Sequence, residues 1–307
     1  MMAILCDIGG TYARVAKADG GALRDVQKFA AADFASLEAA LAKYSAGKAP
    51  LRIATAAYPD TDGRWRFVNQ NKWVIDPTAL KKAGWPVEII LNDFEAATWA
   101  LTDLPPAAQK TIKAAPPRPG FAKILLGPGT GLGLGYLHQT PAGFFVQRTH
   151  GGHIPAAAIT DEQADVIAHL GKNSLIVFEN LVSGPGLLNL YKAQCALTGK
   201  SCAADRAQHV LDDAQSTEGK NAIRLFTEFL GIIAATATVC GHAYGGLYLT
   251  GGMLQRLSEK NLFDAKHFLK FFVLNAVESV RHDLDQTPVC HVTEENPALL
   301  GLLKVQR

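Results

Sequence analysis

The sequence predicts a two-domain α/β protein, and three observations carry that expectation. Short apolar runs that suit strands alternate with segments whose apolar residues fall at helical spacing, the pattern of an α/β layer. At 307 residues the chain exceeds the size at which one hydrophobic core stops growing. Its two halves also open alike. "ILCDIGGTYARVA" from residue 4 and "FAKILLGPGTGLGLGYL" from residue 121 each run strand, glycine turn, strand, which suggests an internal structural duplication.

Taken in order, residues 3 to 6 and 13 to 17 read as two strands joined by the "DIGGT" turn. Phe34, Leu37, Leu41 and Tyr44 share one face of an amphipathic helix, and "PLRIATAAY" (50 to 58) reads as a third strand. "VEIIL" (87 to 91), apolar apart from Glu88, reads as a strand that runs into "NDFEAATWAL", a helix starting just after Asp93. The proline-rich, weakly patterned "LPPAAQKTIKAAPPRPG" (104 to 120) reads as a linker or long loop. The expected domains are therefore 1–105, completed by a C-terminal helix in 294–307, and 106–293. In the second, after the strand–turn–strand unit, helices are expected at 160 to 170, 184 to 197 and 221 to 240. The "GGLYLTGG" strand follows, and "NPALLGLLKV" makes a short helix after Pro297.

Composition narrows the functional classes. With 48% hydrophobic and 19% charged residues and a mean hydropathy of +0.07, the chain belongs with globular rather than disordered sequences. A net charge of +2 and the lack of a run of five or more Lys or Arg argue against a nucleic-acid partner. Cys6, Cys195, Cys202, Cys240 and Cys290 are odd in number and lack C-x-x-C spacing, so neither a disulfide framework nor a structural zinc site is expected. A reducing cytoplasm suits them, and no signal peptide is recognised. Phe229 to Gln255 carries no Asp, Glu, Lys or Arg and is long enough to span a bilayer. It is broken by glycines and His242, however, and "YGGLYLTGG" reads as a buried strand between glycine turns. No membrane partner is expected.

Glycine lets another group approach the backbone closely, so a strand–Gly–strand turn presents N–H groups to whatever lies above it, and phosphate suits such a concavity. "GPGTGLGLG" has glycines at 127, 129, 131, 133 and 135, which fails G-x-G-x-x-G, and no Lys-Ser/Thr follows to make a P-loop. Each segment alone is equally a tight hairpin. Two of them plus "LTGGM" (249 to 253) favour a nucleotide held between domains. Asp93 sits where a strand gives way to a helix, so its carboxylate is either aimed into a cleft as a base or simply caps the helix. Asn92 beside it is either a hydroxyl ligand or part of an Asx turn.

Together, "DIGGTYARVA", "LNDFEAATWAL", "GPGTGLGLGYL", "GGHI", "FENLVSGPGLLNLYKA", "GGLYLTGGM" and "NPALLGLL" resemble the successive motifs of bacterial glucokinases, of the sugar kinase, Hsp70 and actin superfamily. The match is collinear from residue 4 to residue 303. The resemblance implies a two-domain actin-like ATPase fold of the ribonuclease H-like kind, with the active site in the interdomain cleft. It implies transfer of the γ-phosphoryl of ATP to the 6-hydroxyl of a hexose, glucose first, with magnesium. By the same resemblance Asp7 organises the magnesium, directly or through water, while Gly9, Gly10 and Thr11 face the phosphates. Gly129, Thr130 and Gly131 form a second phosphate loop, and Gly251 and Gly252 lie beside the adenosine. Asp93 is the base, and Asn92, His153 and Glu179 bind sugar hydroxyls. A homodimer is expected.

Two positions depart from the family pattern. Tyr12 stands where an Asn usually follows "GGT", and His150, in "HGGH", stands where a sugar-binding glutamate is expected. A carboxylate accepts from two hydroxyls, whereas a neutral imidazole offers one acceptor and one donor. A related sugar kinase with a non-glucose acceptor therefore stays open. So does a non-catalytic sugar-responsive regulator, although Asp7 and Asp93 are both intact and no helix-turn-helix segment is evident.

Overall fold

The computed structural model describes residues 3–44, 47–67, 71–116, 118–172 and 174–305. The terminal residues 1, 2, 306 and 307 of the expected domains, and Pro117 in the proline-rich stretch, lie outside them. The chain forms two compact units, Met1–Leu104 with Glu294–Arg307, and Pro105–Thr293.

The first unit opens with strands β1 (Ala3–Ile8), β2 (Tyr12–Asp19) and β3 (Ala22–Ala30), then α1 (Leu37–Tyr44) and β4 (Leu51–Thr55). The short strands β5 (Tyr58–Pro59), β6 (Trp65–Arg66) and β7 (Val74–Ile75) make a small antiparallel sheet of their own. Next come α2 (Pro77–Lys82), β8 (Val87–Asn92) and α3 (Asp93–Trp99). The main sheet has the order β3-β2-β1-β4-β8, antiparallel through the first three strands and parallel from β1 to β8. Alternation along β1 sends Ile4, Cys6 and Ile8 into a core with Leu37, Leu41, Leu51, Ile53 and Leu80. Asp7 takes the other face.

The second unit contains β9 (Gln109–Lys113), β10 (Lys123–Pro128), β11 (Leu132–Thr140) and β12 (Gly143–Arg148), then α4 (Asp161–Leu170), α5 (Gly184–Leu197), α6 (Ala207–Asp212) and α7 (Thr217–Cys240). It ends with β13 (Gly246–Leu249), α8 (Gly252–Glu259), α9 (Ala265–Phe272), α10 (Glu278–Asp285) and β14 (Val289–Val292). Its sheet has the order β12-β11-β10-β13-β14-β9. The three strands β12-β11-β10 are antiparallel, and β10, β13 and β14 are parallel. The two units thus repeat one topology. Helix α11 (Pro297–Lys304) returns to the first unit, where Gly301 lets it press so closely on α3 that a Cβ there would strike the carbonyl of Ala96.

Helix α7 is long and apolar enough to cross a membrane, but 78% of its apolar window is buried inside the structure. It also carries Glu228, whose carboxylate accepts from Arg224 and Gln163 at 2.7 Å. Phe226, Phe229, Leu230 and Ile233 of α7 form the core beneath β10 and β11. Residues 104 to 120, expected as a linker or long loop, instead hold β9, which pairs antiparallel with β14 at the sheet edge. Among the described residues of β9, Ile112 packs its apolar side chain on the core, while the strand is otherwise polar, so it leaves little trace in the pattern.

Candidate active site

Ligand sites in open α/β sheets lie beyond the C-terminal ends of parallel strands, and the candidate residues of the first unit gather there. Ile8 aligns with Thr55, and Thr55 with Asn92, so the ends of β1, β4 and β8 are level. Beyond β1 the chain turns through Gly9, Gly10 and Thr11. The Gly9 N–H donates to the Tyr12 carbonyl at 3.0 Å, and the Thr11 carbonyl accepts from the Ala31 N–H at 2.9 Å. Tyr12, half exposed, lies under the Lys28 ammonium, 4.8 Å from its ring centre.

Asp7 and Arg14 are opposite each other in the β1–β2 register, and Arg14 Nη1 donates to Asp7 Oδ2 at 2.9 Å. Burial pushes the Asp7 carboxyl up to about 6. Arg14 opposes that rise, and the negative charge of nearby Asp93 adds to it. At the end of β8 the N-cap of α3 is Asn92, whose Oδ1 accepts from the N–H groups of Phe94 and Glu95 at 3.0 and 3.2 Å. Asp93 is therefore not the capping residue. Burial raises its carboxyl above the ordinary aspartate value, against the Phe94 N–H at 2.8 Å and the Asn92 side chain, which favour the charged form. Two half-buried carboxylates, both raised by desolvation and the Asp7 group also by the Asp93 charge, beside a glycine turn are suited to proton and phosphoryl chemistry.

The second unit builds a matching edge. After β10 the turn Gly129–Thr130–Gly131 closes with the Gly129 N–H donating to the Gly131 carbonyl at 2.8 Å, while the Gly129 carbonyl accepts from the Gly184 N–H at 2.8 Å. Glu179 is fastened to the same turn: its Oε2 accepts from the Leu132 N–H at 2.8 Å. A Cβ on Gly131 would come within 2.5 Å of that oxygen, so glycine is what allows the carboxylate its position. Ser183 locks the approach to α5, donating to the Glu179 carbonyl at 2.7 Å and accepting from the Gly186 N–H at 2.9 Å.

His150 precedes the 3-10 turn Gly151–His153, which ends on His153, and both histidines are exposed, with ring centres 6.2 Å apart. A Cβ on Gly152 would strike the Leu132 carbonyl and one on Gly151 the Leu134 side chain, so these glycines let the turn lie against β11. The Ile154 carbonyl accepts from the Phe178 N–H at 3.0 Å, which holds the histidine segment beside the Glu179 segment. Gly251 caps α8 at φ 99°, and a Cβ there would strike the Pro128 carbonyl. Around Gly252 the space is open.

Each unit thus collects its own set of candidates. The first brings together Asp7, Gly9, Gly10, Thr11, Asn92 and Asp93. The second joins Gly129, Thr130, Gly131, Glu179, His150 and His153 in one network, with Gly251 and Gly252 at the end of the neighbouring strand. Sequence reasoning missed Arg14, although its position seven residues from Asp7 across a tight hairpin would pair the two, and Asn71, whose contact with the first turn spans 62 residues and leaves no local signal.

Two units of repeated topology with glycine turns at the ends of their parallel strands define an actin-like ATPase-fold sugar kinase. The family model Glucokinase matches residues 4–307, and the chain belongs to the glucokinase family. The glucokinase of Pseudomonas aeruginosa is 31% identical over 311 residues, covering 98% of this chain and 93% of that protein. The crystal structure of a glucokinase from an Antarctic psychrotroph aligns with a TM-score of 0.84 at 27% identity, covering 99% of this chain and 98% of that one. A ROK family glucokinase from Streptomyces griseus, solved with glucose and AMPPNP, shares the fold at 18% identity with a TM-score of 0.62, covering 98% of each chain.

Proposed function

We propose that this chain transfers the γ-phosphoryl of ATP to the 6-hydroxyl of glucose, with Asp93 as the base. The observation that carries this reading is the setting of Asp93: a largely buried carboxylate at the junction of β8 and α3, fixed through its own Oδ1, beside Asn92 and within electrostatic reach of Asp7. Phosphoryl transfer asks little covalent work of a protein beyond positioning, charge neutralisation and one acceptor for the hydroxyl proton. Asp93 accepts that proton. Gly9–Thr11 and Gly129–Gly131 present backbone to the phosphates, and Gly251 and Gly252 flank the adenosine. Asn92, His150, His153 and Glu179 hold sugar hydroxyls.

Asp7 would hold magnesium, directly or through water. The donor set fits: magnesium is usually bound by one or two carboxylates together with substrate phosphate oxygens and waters. Among the described residues no three His, Cys, Asp or Glu side chains cluster as a metal site of their own. Bound beside Asp7, such an ion would supply neutralisation of the phosphate charge. In this reading the enzyme works in the cytoplasm as a homodimer.

His150 favours a second reading, in which the acceptor is another hexose, because an imidazole replaces a carboxylate that would accept from two hydroxyls. ADP release followed over glucose, mannose, fructose and glucosamine separates the two. The first reading expects glucose to give the highest kcat/KM, and a clear preference for another hexose overturns it in favour of the second.

A further inference from the structure

We propose that Asn71 is a positioning residue for the nucleotide, holding the peptide unit between Gly9 and Gly10 so that its N–H faces the phosphates. This rests on the reading of Gly9–Thr11 as a phosphate turn.

In a peptide unit the carbonyl and the following N–H point in opposite directions. Whatever fixes the Gly9 carbonyl therefore aims the Gly10 N–H. Asn71 Nδ2 donates to that carbonyl at 2.9 Å. With glycine on both sides, this peptide can rotate at little steric cost. Rotated by half a turn, it would present an oxygen to the phosphates and bury the N–H. The tether decides between a turn that attracts an anion and one that repels it.

Asn71 is itself well anchored. It is 6% exposed, and its Oδ1 accepts from the Trp73 N–H at 2.9 Å. Trp73 is 4% exposed, and its ring N–H donates to the Phe34 carbonyl at 2.9 Å. The amide orientation follows, because the oxygen is committed to Trp73 and only the nitrogen faces Gly9. On the other side of the turn the Thr11 carbonyl is taken by Ala31. Both carbonyls are thus drawn to the protein, while the N–H groups of Gly10 and Thr11 have no acceptor among the described residues. Successive N–H groups freed in this way form an anion-binding concavity.

The test compares the wild type with Asn71→Asp and Asn71→Ser. The aspartate keeps an acceptor for the Trp73 N–H but sets a carboxylate oxygen against the Gly9 carbonyl. The serine is too short to serve both partners. The expected result is a rise of about tenfold or more in the KM for ATP and in the ADP dissociation constant by calorimetry, the size of one lost hydrogen bond to an anion. The glucose KM should stay within about twofold and kcat should fall less than the ATP KM rises. Unchanged ADP affinity in a folded variant overturns the proposal, as does failure of both variants to fold, which would make Asn71 structural only. Hydrogen exchange of residues 9 to 11 in the wild type tests the underlying reading separately: if ADP leaves their exchange unaltered, the turn does not hold phosphate at all.

Discussion

By the resemblance of its motifs, His150 is one of two positions, with Tyr12, expected to depart from the family pattern, and it is the one proposed to meet the sugar. Its ring is exposed on the same short turn as His153, and the close packing of Gly151 and Gly152 on β11 leaves that turn little freedom to re-aim it. A carboxylate restored at this point should therefore meet whatever hydroxyls the imidazole meets. His150→Glu is expected to change relative kcat/KM among glucose, mannose, fructose and glucosamine by more than about twofold, or ~0.5 kcal/mol. A smaller shift for every sugar would remove His150 from the specificity residues. Asp93 and Asp7 make a second prediction at this scale. Both carboxyls are raised by burial, Asp7 to about 6 and Asp93 above its ordinary 3.8. A base must be unprotonated to act, so kcat/KM for the sugar should fall as pH is lowered through a value above the ordinary aspartate range. A pH–rate profile flat down to pH 4 would contradict the buried setting.

The turns beyond the parallel strands are where element geometry can be tested. Gly251 sits at φ 99° with the Pro128 carbonyl where a Cβ would be. Gly252, one residue on, has open space instead. Gly251→Ala should therefore cost on the order of 2 kcal/mol or more of stability, several degrees in Tm. Gly252→Ala should leave Tm nearly unchanged and raise the KM for ATP, because its methyl enters the space assigned to adenosine. If both variants melt like the wild type, the strain argument fails; if Gly252→Ala binds ATP normally, the adenosine assignment fails. The same turns show what a sequence can carry. Strands β1, β8, β10 and β13 are apolar runs against glycine or a capping residue, and they are legible. Strands β3 and β9 are not, because each lies at a sheet edge with most of its residues exposed or half-exposed, so alternation is weak. Helix α7 begins at Thr217 rather than at 221, because its first turn is polar and set by the Ser216 cap on the Gly219 N–H, not by apolar spacing.

For the whole molecule, the duplication suggested by two strand–turn–strand openings extends to entire sheets: β3-β2-β1-β4-β8 and β12-β11-β10-β13-β14 repeat the same order and directions. Spacing could not show this, because α4 to α7 separate the hairpin of the second sheet from its remaining strands. Roles divided in the same way. The residues alone marked the glycine turns and left Asp93 between base and helix cap, and the structure gives the cap to Asn92. Ties such as Glu179 to Leu132 and Asn71 to Gly9 join residues 47 and 62 apart and exist only once the chain has folded. The proposed reaction requires Asp93 to receive the proton of the sugar hydroxyl. Asp93→Asn keeps the shape of the side chain but cannot take that proton, so the most direct measurement is its glucose-dependent ADP release alongside its glucose dissociation constant. The expected result is a loss on the order of 100-fold or more in kcat with glucose affinity changed only a few-fold; turnover within about threefold of the wild type would rule Asp93 out as the base.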